Sequence, residues 1–465
     1  MLNMQPLTLT EAKRLIQAGD LSPLELTQTI LERIERLNPT LNCYLSVFQE
    51  EALARAERLS KSLKDRRNLN PLYGIPIGIK DLIAIRNHPL RAGSKVWDGY
   101  TPAQDARVVE RLRRSGAIFI GYHNMHEIAL GVTNLNPHFG AVRNPWRTDC
   151  ISGGSSGGSA VAVVSGLCLG AIGTDTGGSI RIPASLCGAV GLKPTFGRVS
   201  LRGVLPLSWN LDHVGPLGRC VEDVALLYRL IAGYDPQDVA SAQKNLPNPL
   251  AHLREGVKGF RIGLAQDDFF TQAEEEILQA VRTAAAVFHE LGAQVEEVQI
   301  PDGWLAAQTN GLMVISDAAV IYEKQLAEQA GLFGEDVYQR LRNGAAVTLA
   351  QYIHARRTQT VLRKQYQEFF KRYDLLLTPT TPITAPPIAG RDSIEAARIL
   401  TRFTAPFNLT GLPALSIPCA MSTEGLPIGL QLVANYWKED SLLRAGYAYE
   451  EATNARHQFA WSDTL

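Results

Sequence analysis

Hydrophobic residues recur along the chain at spacings typical of helices in some segments and of strands in others. Near the N-terminus, apolar positions three and four residues apart predict amphipathic helices over 7–17 and 22–37. Thr8 and Ser22 are the candidate N-caps of these helices, and each has a glutamate three residues later, as in a capping box. Shorter continuous apolar runs, such as 72–79, predict buried strands instead.

Strand-like and helix-like segments alternate through the rest of the chain. The predicted strands lie at 41–48, 72–80, 117–121, 171–173, 188–194, 261–264, 294–299, 374–379, 414–418 and 428–433. The predicted helices lie at 50–63, 105–115, 159–169, 221–231, 274–291, 305–332, 349–372, 398–409 and 441–453. Such alternation is typical of a twisted, mostly parallel sheet that is covered on both faces. The sequence therefore predicts an α/β fold.

The chain of 465 residues carries 46 basic and 46 acidic side chains, so its formal net charge is zero. This balance argues against a dedicated nucleic-acid binder. No apolar run approaches the roughly 20 residues of a membrane span, and the N-terminal segment lacks the order of a signal peptide. Six scattered cysteines without a Cys-x-x-Cys pair are typical of free thiols in a reducing cytosol. We therefore expect a cytoplasmic protein that binds neither nucleic acid nor membranes directly.

Two stretches rich in glycine, 153–158 and 174–179, flank a predicted buried helix of small residues. The first reads Gly-Gly-Ser-Ser-Gly-Gly, and its glycines permit positive φ angles and close approach of the backbone to a ligand. If both loops return to one point, they bring serine hydroxyls and free N–H groups together, as acyl transfer requires. A phosphate-binding loop is the alternative, but the Gly-Lys-Ser/Thr ending and the Gly-x-Gly-x-x-Gly pattern of such loops are missing.

These stretches resemble the motif that names the amidase signature family. The similarity consists of Gly-Gly-Ser-Ser-Gly-Gly followed, at the family's separation, by Gly-Thr-Asp-Thr-Gly-Gly-Ser-Ile-Arg-Ile-Pro-Ala. A third segment, Gly-Ile-Pro-Ile-Gly-Ile-Lys-Asp at 74–81, is similar to the family segment that carries a catalytic lysine. Without the resemblance, we would interpret Lys80 as an ordinary lysine that reaches solvent at the end of a strand. Stand-alone bacterial amidases are the members closest in kind, and the A subunit of the tRNA-dependent amidotransferase is a relative.

The resemblance extends over about 7–453 and implies an α/β/α sandwich around a large, twisted, mixed β-sheet. We therefore predict a single domain over 1–465 despite its length. Its expected parts are N-terminal helices at 7–63, a catalytic core at about 72–232, a helical and βαβ excursion at about 256–372, and the C-terminal part of the sheet at 374–453.

The family's Ser–cis-Ser–Lys triad falls on Ser179, Ser155 and Lys80. By resemblance, Ser179 is the nucleophile, Ser155 the bridging serine and Lys80 the terminal base. A cis peptide bond is expected before Ser155. A hydroxyl is a weak nucleophile until a base removes its proton, and burial lowers the lysine pKa from about 10.4 so that the neutral amine can act as that base. The proton later returns to the leaving amine.

The loop of the nucleophile contains most of the other predicted site residues. Its backbone N–H groups form the predicted oxyanion hole, at Thr176, Gly177, Gly178 and Ser179. Three further residues are predicted to support the site, namely Ser156, Asp175 and Arg181. We interpret Ser156 as a hydrogen-bond donor beside the triad. We interpret Asp175 and Arg181 as a structural ion pair, with contact to the substrate as the alternative.

Neither a cofactor nor a metal is expected. His123 and His126 have a spacing that can hold a metal on a helix, but no third ligand is evident nearby. Asp212 and His213 could be interpreted as members of a Ser-His-Asp catalytic triad. They resemble a family segment with structural duties, so we do not assign them to catalysis.

The family includes general amidases, fatty-acid amide hydrolases and the A chain of the tRNA-dependent amidotransferase. Residues 333–379 resemble that A chain in outline, but Gln359 stands where its glutamine-binding arginine is expected, and 403–407 lacks an expected aspartate. Both departures favour a stand-alone hydrolase with an apolar acyl or aryl pocket. Its expected substrates are small-molecule amides, with esters, anilides and carbamates as further candidates.

The alternative is the glutaminase A subunit of the glutamyl-tRNA(Gln)/aspartyl-tRNA(Asn) amidotransferase, which acts with partner chains. A non-enzymatic binder is a third option, and a homodimer is left open.

Overall fold

The computed structural model describes residues 7–62 and 69–455. Its helices are α1 (Leu9–Ala18), α2 (Pro23–Leu41), α3 (Gln49–Lys61), α4 (Arg107–Arg114), α5 (Gly157–Val164), α6 (Arg181–Cys187), α7 (Val221–Ile231), α8 (Glu275–Glu290), α9 (Gly303–Ile321), α10 (Glu323–Glu328), α11 (Glu335–Ala345), α12 (Leu349–Phe369), α13 (Ser393–Leu400), α14 (Ala405–Thr410) and α15 (Glu439–Thr453). Its strands are β1 (Tyr44–Val47), β2 (Pro76–Lys80), β3 (Ile118–His123), β4 (Leu135–Asn136), β5 (Gly140–Ala141), β6 (Gly170–Thr174), β7 (Val190–Lys193), β8 (Val214–Gly218), β9 (Arg261–Ala265), β10 (Gln294–Val298), β11 (Leu375–Pro379), β12 (Ala414–Met421) and β13 (Pro427–Ala434). The last residue of the helix predicted at 50–63 lies outside the described residues.

Within the described ranges, eleven strands form one sheet in the order β1-β3-β2-β6-β8-β7-β12-β13-β11-β9-β10. Four neighbouring pairs are parallel, namely β3 with β2, β2 with β6, β11 with β9, and β9 with β10. The other six pairs are antiparallel. The expectation of a mostly parallel sheet is therefore wrong, and the mixed sheet implied by the family resemblance is confirmed. The difference arises because the sequence pattern does not predict β8, and because β12 and β13 form an antiparallel hairpin.

Helices cover both faces of this sheet. Every residue of β2, β3, β6, β7, β8, β11 and β13 is buried. Because successive side chains of a strand point to opposite faces, full burial requires a packed layer on each side. The predicted α/β/α sandwich is therefore confirmed.

The N-terminal helices begin as the sequence predicts. The side chain of Thr8 accepts a hydrogen bond from the Glu11 N–H at 3.2 Å, and that of Ser22 accepts one from the Glu25 N–H at 3.1 Å. Each glutamate carboxylate accepts a bond from the cap residue's own N–H in return. Both capping boxes are therefore confirmed, and they satisfy N–H groups that a helix start leaves without partners.

Several elements differ from the predicted pattern. The helix predicted at 305–332 ends as α9 and continues in the short α10, and the one predicted at 398–409 is divided into α13 and α14. Helix α6 forms where the sequence suggests a loop, because its proline, Pro183, lies in the first turn, where no N–H is needed. The break between α13 and α14 brings residues 401–404 next to the loop that carries Ser179.

All four predicted parts of the chain contribute strands to the one sheet. Strand β1 comes from the N-terminal part, and β9 and β10 from the excursion at 256–372 form one edge of the sheet beside β11. The excursion is therefore an extension of the same sheet. No helix within residues 7–62 and 69–455 combines the length and the apolar character that crossing a membrane requires.

Candidate active site

Lys80 is the last residue of β2 and lies near Thr174, the last residue of the neighbouring parallel strand β6. Lys80 Nζ donates to Thr174 Oγ1 at 2.8 Å and to Ser155 Oγ at 2.6 Å. Ligand sites of open α/β sheets commonly lie outside the carboxyl ends of the strands. Sequence reasoning does not assign a role to Thr174, although this residue opens the loop that leads to Ser179.

The Lys80 amine is completely buried. Burial lowers its pKa well below the ordinary lysine value, because surroundings of low dielectric constant disfavour the ammonium form. The nearby carboxylates of Asp175 and Asp212 act in the opposite direction without reversing the shift. The amine is therefore able to accept a proton at a pH where an exposed lysine is charged.

Ser155 lies in the tight loop directly before α5, and its side chain is fully buried. The Gly154–Ser155 peptide bond is cis, which confirms the geometry implied by the family resemblance. Gly153 has a φ of +71°, in the left-handed region that favours glycine. A Cβ on Gly154 would lie only 2.8 Å from Asn134 Oδ1. The loop therefore needs glycine at both positions before Ser155.

The Asp175 carboxylate organises the loop that carries Ser179. Its Oδ1 accepts a hydrogen bond from the Gly178 N–H at 2.8 Å, and its Oδ2 accepts one from the Ile180 N–H at 3.1 Å. Gly178 has a φ of +133°, which residues with side chains rarely adopt. The loop folded in this way places Ser179 in the wall of a cavity, with 3% of its surface exposed.

The three predicted triad residues are gathered at one place, and backbone contacts tie the two glycine-rich loops together. The Ser156 N–H donates to the Ser179 carbonyl oxygen at 3.2 Å. The side-chain hydrogen bond seen within the predicted triad, among the described residues, is the one from Lys80 Nζ to Ser155 Oγ. Catalytic hydrogen bonds are often long before a substrate is bound. The contact between Lys80 and Ser155 is therefore the part of the predicted triad that the geometry shows directly.

Three of the four predicted oxyanion donors have free N–H groups. The Gly178 N–H donates to Asp175 Oδ1, and the assignment of Gly178 to the oxyanion hole stays a prediction that competes with this bond. The N–H groups of Thr176, Gly177 and Ser179 donate to no other described residue. The carbonyl oxygen of Gly177 accepts from Thr404 Oγ1 at 2.6 Å, so the peptide group between Gly177 and Gly178 is held at both ends.

Asp175 and Arg181 form a buried ion pair. Arg181 Nε donates to Asp175 Oδ2, and Arg181 Nη2 donates to Asp175 Oδ1, each at 3.0 Å. Burial alone would raise the pKa of Asp175, but the guanidinium outweighs it and holds that pKa well below its usual range. Arg181 is fully buried and does not line the cavity. The geometry supports the structural interpretation of this pair and not a contact with substrate.

Three residues from the C-terminal part of the chain contact this loop or its arginine, and no local motif marks them in the sequence. They are Thr404, Asn408 and Gln431. Arg181 Nη2 donates to Asn408 Oδ1 at 2.5 Å, and Arg181 Nη1 donates to Gln431 Oε1 at 2.6 Å. They reach the site because β13 and α14 pack near α6, which follows the loop.

Ser156 turns towards the end of β6. Its Oγ donates to the Thr174 carbonyl oxygen at 3.0 Å and accepts from the Thr174 N–H at 3.2 Å. These two bonds fix the start of α5 to the strand end that leads into the loop of Ser179. The geometry is consistent with the predicted supporting role.

The three histidines considered for a metal site or a Ser-His-Asp triad are His123, His126 and His213. His123 is fully buried, and burial lowers its pKa to about 3. His126 Nε2 lies 3.1 Å from Asp336 Oδ2, and His213 Nδ1 lies 2.6 Å from the Leu211 carbonyl oxygen. Among the residues that the structure describes, no three His, Cys, Asp or Glu side chains converge as metal ligands do.

A cavity of about 590 Å³ borders Ser179. Cavities of this size hold small organic ligands. Two residues of the loop that carries Ser179, Thr176 and Gly177, form part of its wall. Much of the remaining wall is apolar and includes Leu130, Val132, Leu207, Leu312 and Ile315. The site therefore combines a serine hydroxyl and free N–H donors with an apolar pocket.

The two positions at which the sequence differs from the A chain of the tRNA-dependent amidotransferase, Gln359 and 403–407, lie outside this cavity. Gln359 is buried, and its Nε2 donates to the Leu409 carbonyl oxygen at 2.8 Å. Phe403 and Phe407 pack against Phe270 in the core. The cavity has the expected apolar wall, but neither Gln359 nor any of residues 403–407 belongs to that wall.

Comparison with known proteins gives one consistent result. The amidase family profile matches residues 25–443 of the chain. The chain is 39% identical over 489 residues to a Syntrophobacter fumaroxidans protein, named as the A subunit of glutamyl-tRNA(Gln) amidotransferase, covering 99% of this chain and 100% of that protein. One similar solved structure comes from a vestigial protein complex that reveals the evolutionary origins of an s-triazine catabolic enzyme. Its TM-score to this chain is 0.91 at 33% sequence identity, and the match covers 96% of this chain and 98% of that chain. A bacterial aryl acylamidase of the amidase signature family has a TM-score of 0.89 at 25% identity, covering 99% of each chain. The chain therefore belongs to the amidase family, the amidase signature enzymes.

Proposed function

We propose that this chain hydrolyses amide C–N bonds through an acyl-enzyme on Ser179, with Lys80 as the base and Ser155 as the bridge. Membership of the amidase family identifies the chain as an enzyme that acts on amide C–N bonds. The residue roles are supported by the 2.6 Å hydrogen bond between Lys80 Nζ and Ser155 Oγ, next to a cavity that Ser179 lines.

The proposed reaction moves one proton along the three residues. Neutral Lys80 takes the proton of Ser155 while Ser155 takes the proton of Ser179, and Ser179 Oγ bonds to the carbonyl carbon. The C–N bond then breaks as the proton returns through Ser155 to the nitrogen, and the amine leaves. Water, activated by the same relay, adds to the acyl ester, and the carboxylic acid is released with Ser179 restored. The free N–H groups of Thr176, Gly177 and Ser179 are proposed to bind the oxyanion.

The sequence relatives favour the glutaminase alternative over the stand-alone amidase that the sequence analysis puts first. The Syntrophobacter relative, whose name is that of an amidotransferase component, is similar over its whole length. On this basis the first candidate substrate is glutamine, hydrolysed by the chain in association with partner subunits. The proposed location is the cytoplasm.

A small apolar amide is the second candidate substrate. It is favoured by the apolar wall of the cavity. A bacterial aryl acylamidase also shares the fold. In this case the chain would act without other subunits, as a monomer or as a homodimer.

Assays of the chain purified without partners test both candidates. The panel is L-glutamine together with aliphatic and aryl amides, esters and carbamates. Turnover of alkyl amides or anilides but not of glutamine supports the stand-alone enzyme. Glutamine hydrolysis that appears only after co-expression with the other amidotransferase subunits supports the glutaminase alternative. No turnover of any compound, together with no labelling of Ser179 by a fluorophosphonate, contradicts the proposed function. Dialysis against EDTA before the assay tests the expectation that no metal is needed.

A further inference from the structure

The cavity beside Ser179 has charge of one sign only. Three arginines line it, Arg340, Arg398 and Arg402, whereas none of its lining residues is acidic. A wall of this kind attracts a carboxylate and repels an ammonium group. The three cations differ in how far protein carboxylates neutralise them.

Arg398 and Arg340 both have acidic neighbours. Arg398 Nη2 lies 2.9 Å from Glu395 Oε1, one turn earlier in α13. The carboxylates of Asp336 and Asp392 lie close enough to Arg340 to stabilise its charge. The charge on these two arginines is therefore balanced, at least in part, within the protein.

Among the residues that the structure describes, no carboxylate partners the charge of Arg402. Its guanidinium lies over the rings of Trp304 and Phe403, at 5.5 Å and 4.9 Å from their centroids. Its Nη2 donates to the Gln272 carbonyl oxygen, and its Nε is buried with no hydrogen-bond partner. Within the described part of the chain, the charged group that most affects it is another cation, Arg398. Because a guanidinium has five N–H donors, several remain for a ligand.

Arg402 is close in sequence to a residue that contacts the loop of Ser179. It belongs to the segment 401–404, in which Thr404 Oγ1 donates to the Gly177 carbonyl oxygen at 2.6 Å. Arg402 and Ser179 line the same cavity of about 590 Å³. A ligand that extends along this shared wall would contact both side chains.

We propose that Arg402 binds a carboxylate of the substrate, so that the preferred substrates are short monoamides of dicarboxylic acids. This inference rests on the proposed amide hydrolysis at Ser179, and it departs from both candidate substrates above, because it adds a carboxylate to the apolar amide and removes the α-ammonium group of glutamine. The planar fork of a guanidinium matches the two oxygens of a carboxylate, and stacking on Trp304 and Phe403 orients that fork. The apolar wall would contact the methylene groups between the carboxylate and the amide. An amino acid fits less well, because no acidic lining residue balances its α-ammonium group.

Ammonia release from three amides of equal chain length tests this proposal. Glutaramate carries the carboxylate, valeramide lacks it, and L-glutamine adds an α-ammonium group to glutaramate. We expect kcat/KM to be highest for glutaramate. In Arg402→Gln, the ratio of glutaramate to valeramide should fall by about 10- to 100-fold, as for the loss of a hydrogen bond to a charged group. Arg402→Lys should recover part of the ratio. The pairs succinamate with butyramide and adipamate with hexanamide cover other chain lengths.

Arg372→Gln is the matched control. Arg372 also lies over an aromatic ring, that of Tyr373 at 5.4 Å, but it is not among the residues that line the cavity. The substrate ratio should be unchanged in this variant.

Calorimetric binding of glutaramate and valeramide to Ser179→Ala gives a readout that does not depend on turnover. It tests whether the cavity prefers the carboxylate even if the proposed hydrolysis fails. An unchanged ratio in Arg402→Gln overturns the assignment, as does equal binding of the acid and the neutral amide by Ser179→Ala at every chain length.

Discussion

The Lys80 amine and the Ser155 hydroxyl lie 2.6 Å apart, and neither is accessible to solvent. An ammonium group at this position would lose its hydration, which disfavours the charged form. The neutral amine has a lone pair that can take the Ser155 proton once Ser155 accepts a proton in turn. Burial therefore converts a lysine, which is a poor base when exposed, into a group suited to start the proposed relay.

Replacement of Ser179, the proposed nucleophile, should abolish turnover without unfolding the protein. In Ser179→Ala we expect loss of hydrolysis of every substrate that the wild type cleaves, because no acyl-enzyme can form. The thermal unfolding midpoint should change little, since a single hydroxyl on a cavity wall is removed. A fluorophosphonate should label the wild-type peptide that contains Ser179. Label found on Ser155 or Ser156 would contradict the assignment.

A methyl group at Gly178 should disable the nucleophile loop. Gly178 has a φ of +133°, and a Cβ there would lie 2.7 Å from Ile182 Cδ1 and overlap Thr404. The displaced loop would misplace both Ser179 and the free N–H donors, so we expect kcat of Gly178→Ala to fall at least about 100-fold, as for a lost oxyanion donor. Gly331→Ala is the control, because a Cβ at Gly331 meets nothing within 4 Å. Wild-type kcat in Gly178→Ala would argue against this loop geometry.

Breaking the buried ion pair should cost much of the stability of the protein. Arg181→Met leaves the Asp175 carboxylate buried without its cation, and a loss of about 3–5 kcal/mol in the free energy of unfolding is expected. Urea unfolding measures this loss. Lys371→Gln, which breaks the exposed pair with Glu368 at 2.7 Å, should have a much smaller effect. Equal effects of the two substitutions would show that the buried pair has no special role in stability.

Several features of the fold and of the candidate site could be predicted from the sequence, because they depend on residues that are close together in the chain. The capping boxes depend on residues three positions apart, and the helix at 221–231 is predicted with the bounds that α7 has. Lys80 follows directly on the apolar run that buries it. The sequence does not predict which N–H of the loop donates to Asp175. This bond depends on the backbone conformation of Gly178, which has a φ of +133°.

Other features depend on contacts between distant parts of the chain. Strand β8 contains two glycines and a proline, which are unfavourable in strands, and it forms because it pairs with β6 and β7 in the buried sheet. Asn408 donates to Asp175 across 233 positions of sequence, and Gln431 accepts from Arg181 across 250. No local pattern marks such residues, because the order of strands in the sheet brings them to the site.

The pH dependence of the reaction should report the protonation of Lys80. Only the neutral amine can start the relay, so kcat/KM should rise with pH as Lys80 loses its proton. Because burial lowers the pKa of Lys80, the rise should be complete well below the ordinary lysine value of about 10.4. Lys80→Ala should lose most amide turnover and less ester turnover, because the amine leaving group needs the returned proton more than an alcohol does.

The measurement is kcat/KM against pH for a matched amide and ester. Lys193→Met is the control, because Lys193 is also fully buried with a pKa lowered by burial, yet its Nζ donates to the Pro194 carbonyl oxygen and not to the triad. The acid limb of the profile should persist in Lys193→Met and disappear from the residual activity of Lys80→Ala. If Lys80→Ala keeps the wild-type amide rate and acid limb, Lys80 is not the base and the proposed relay is wrong.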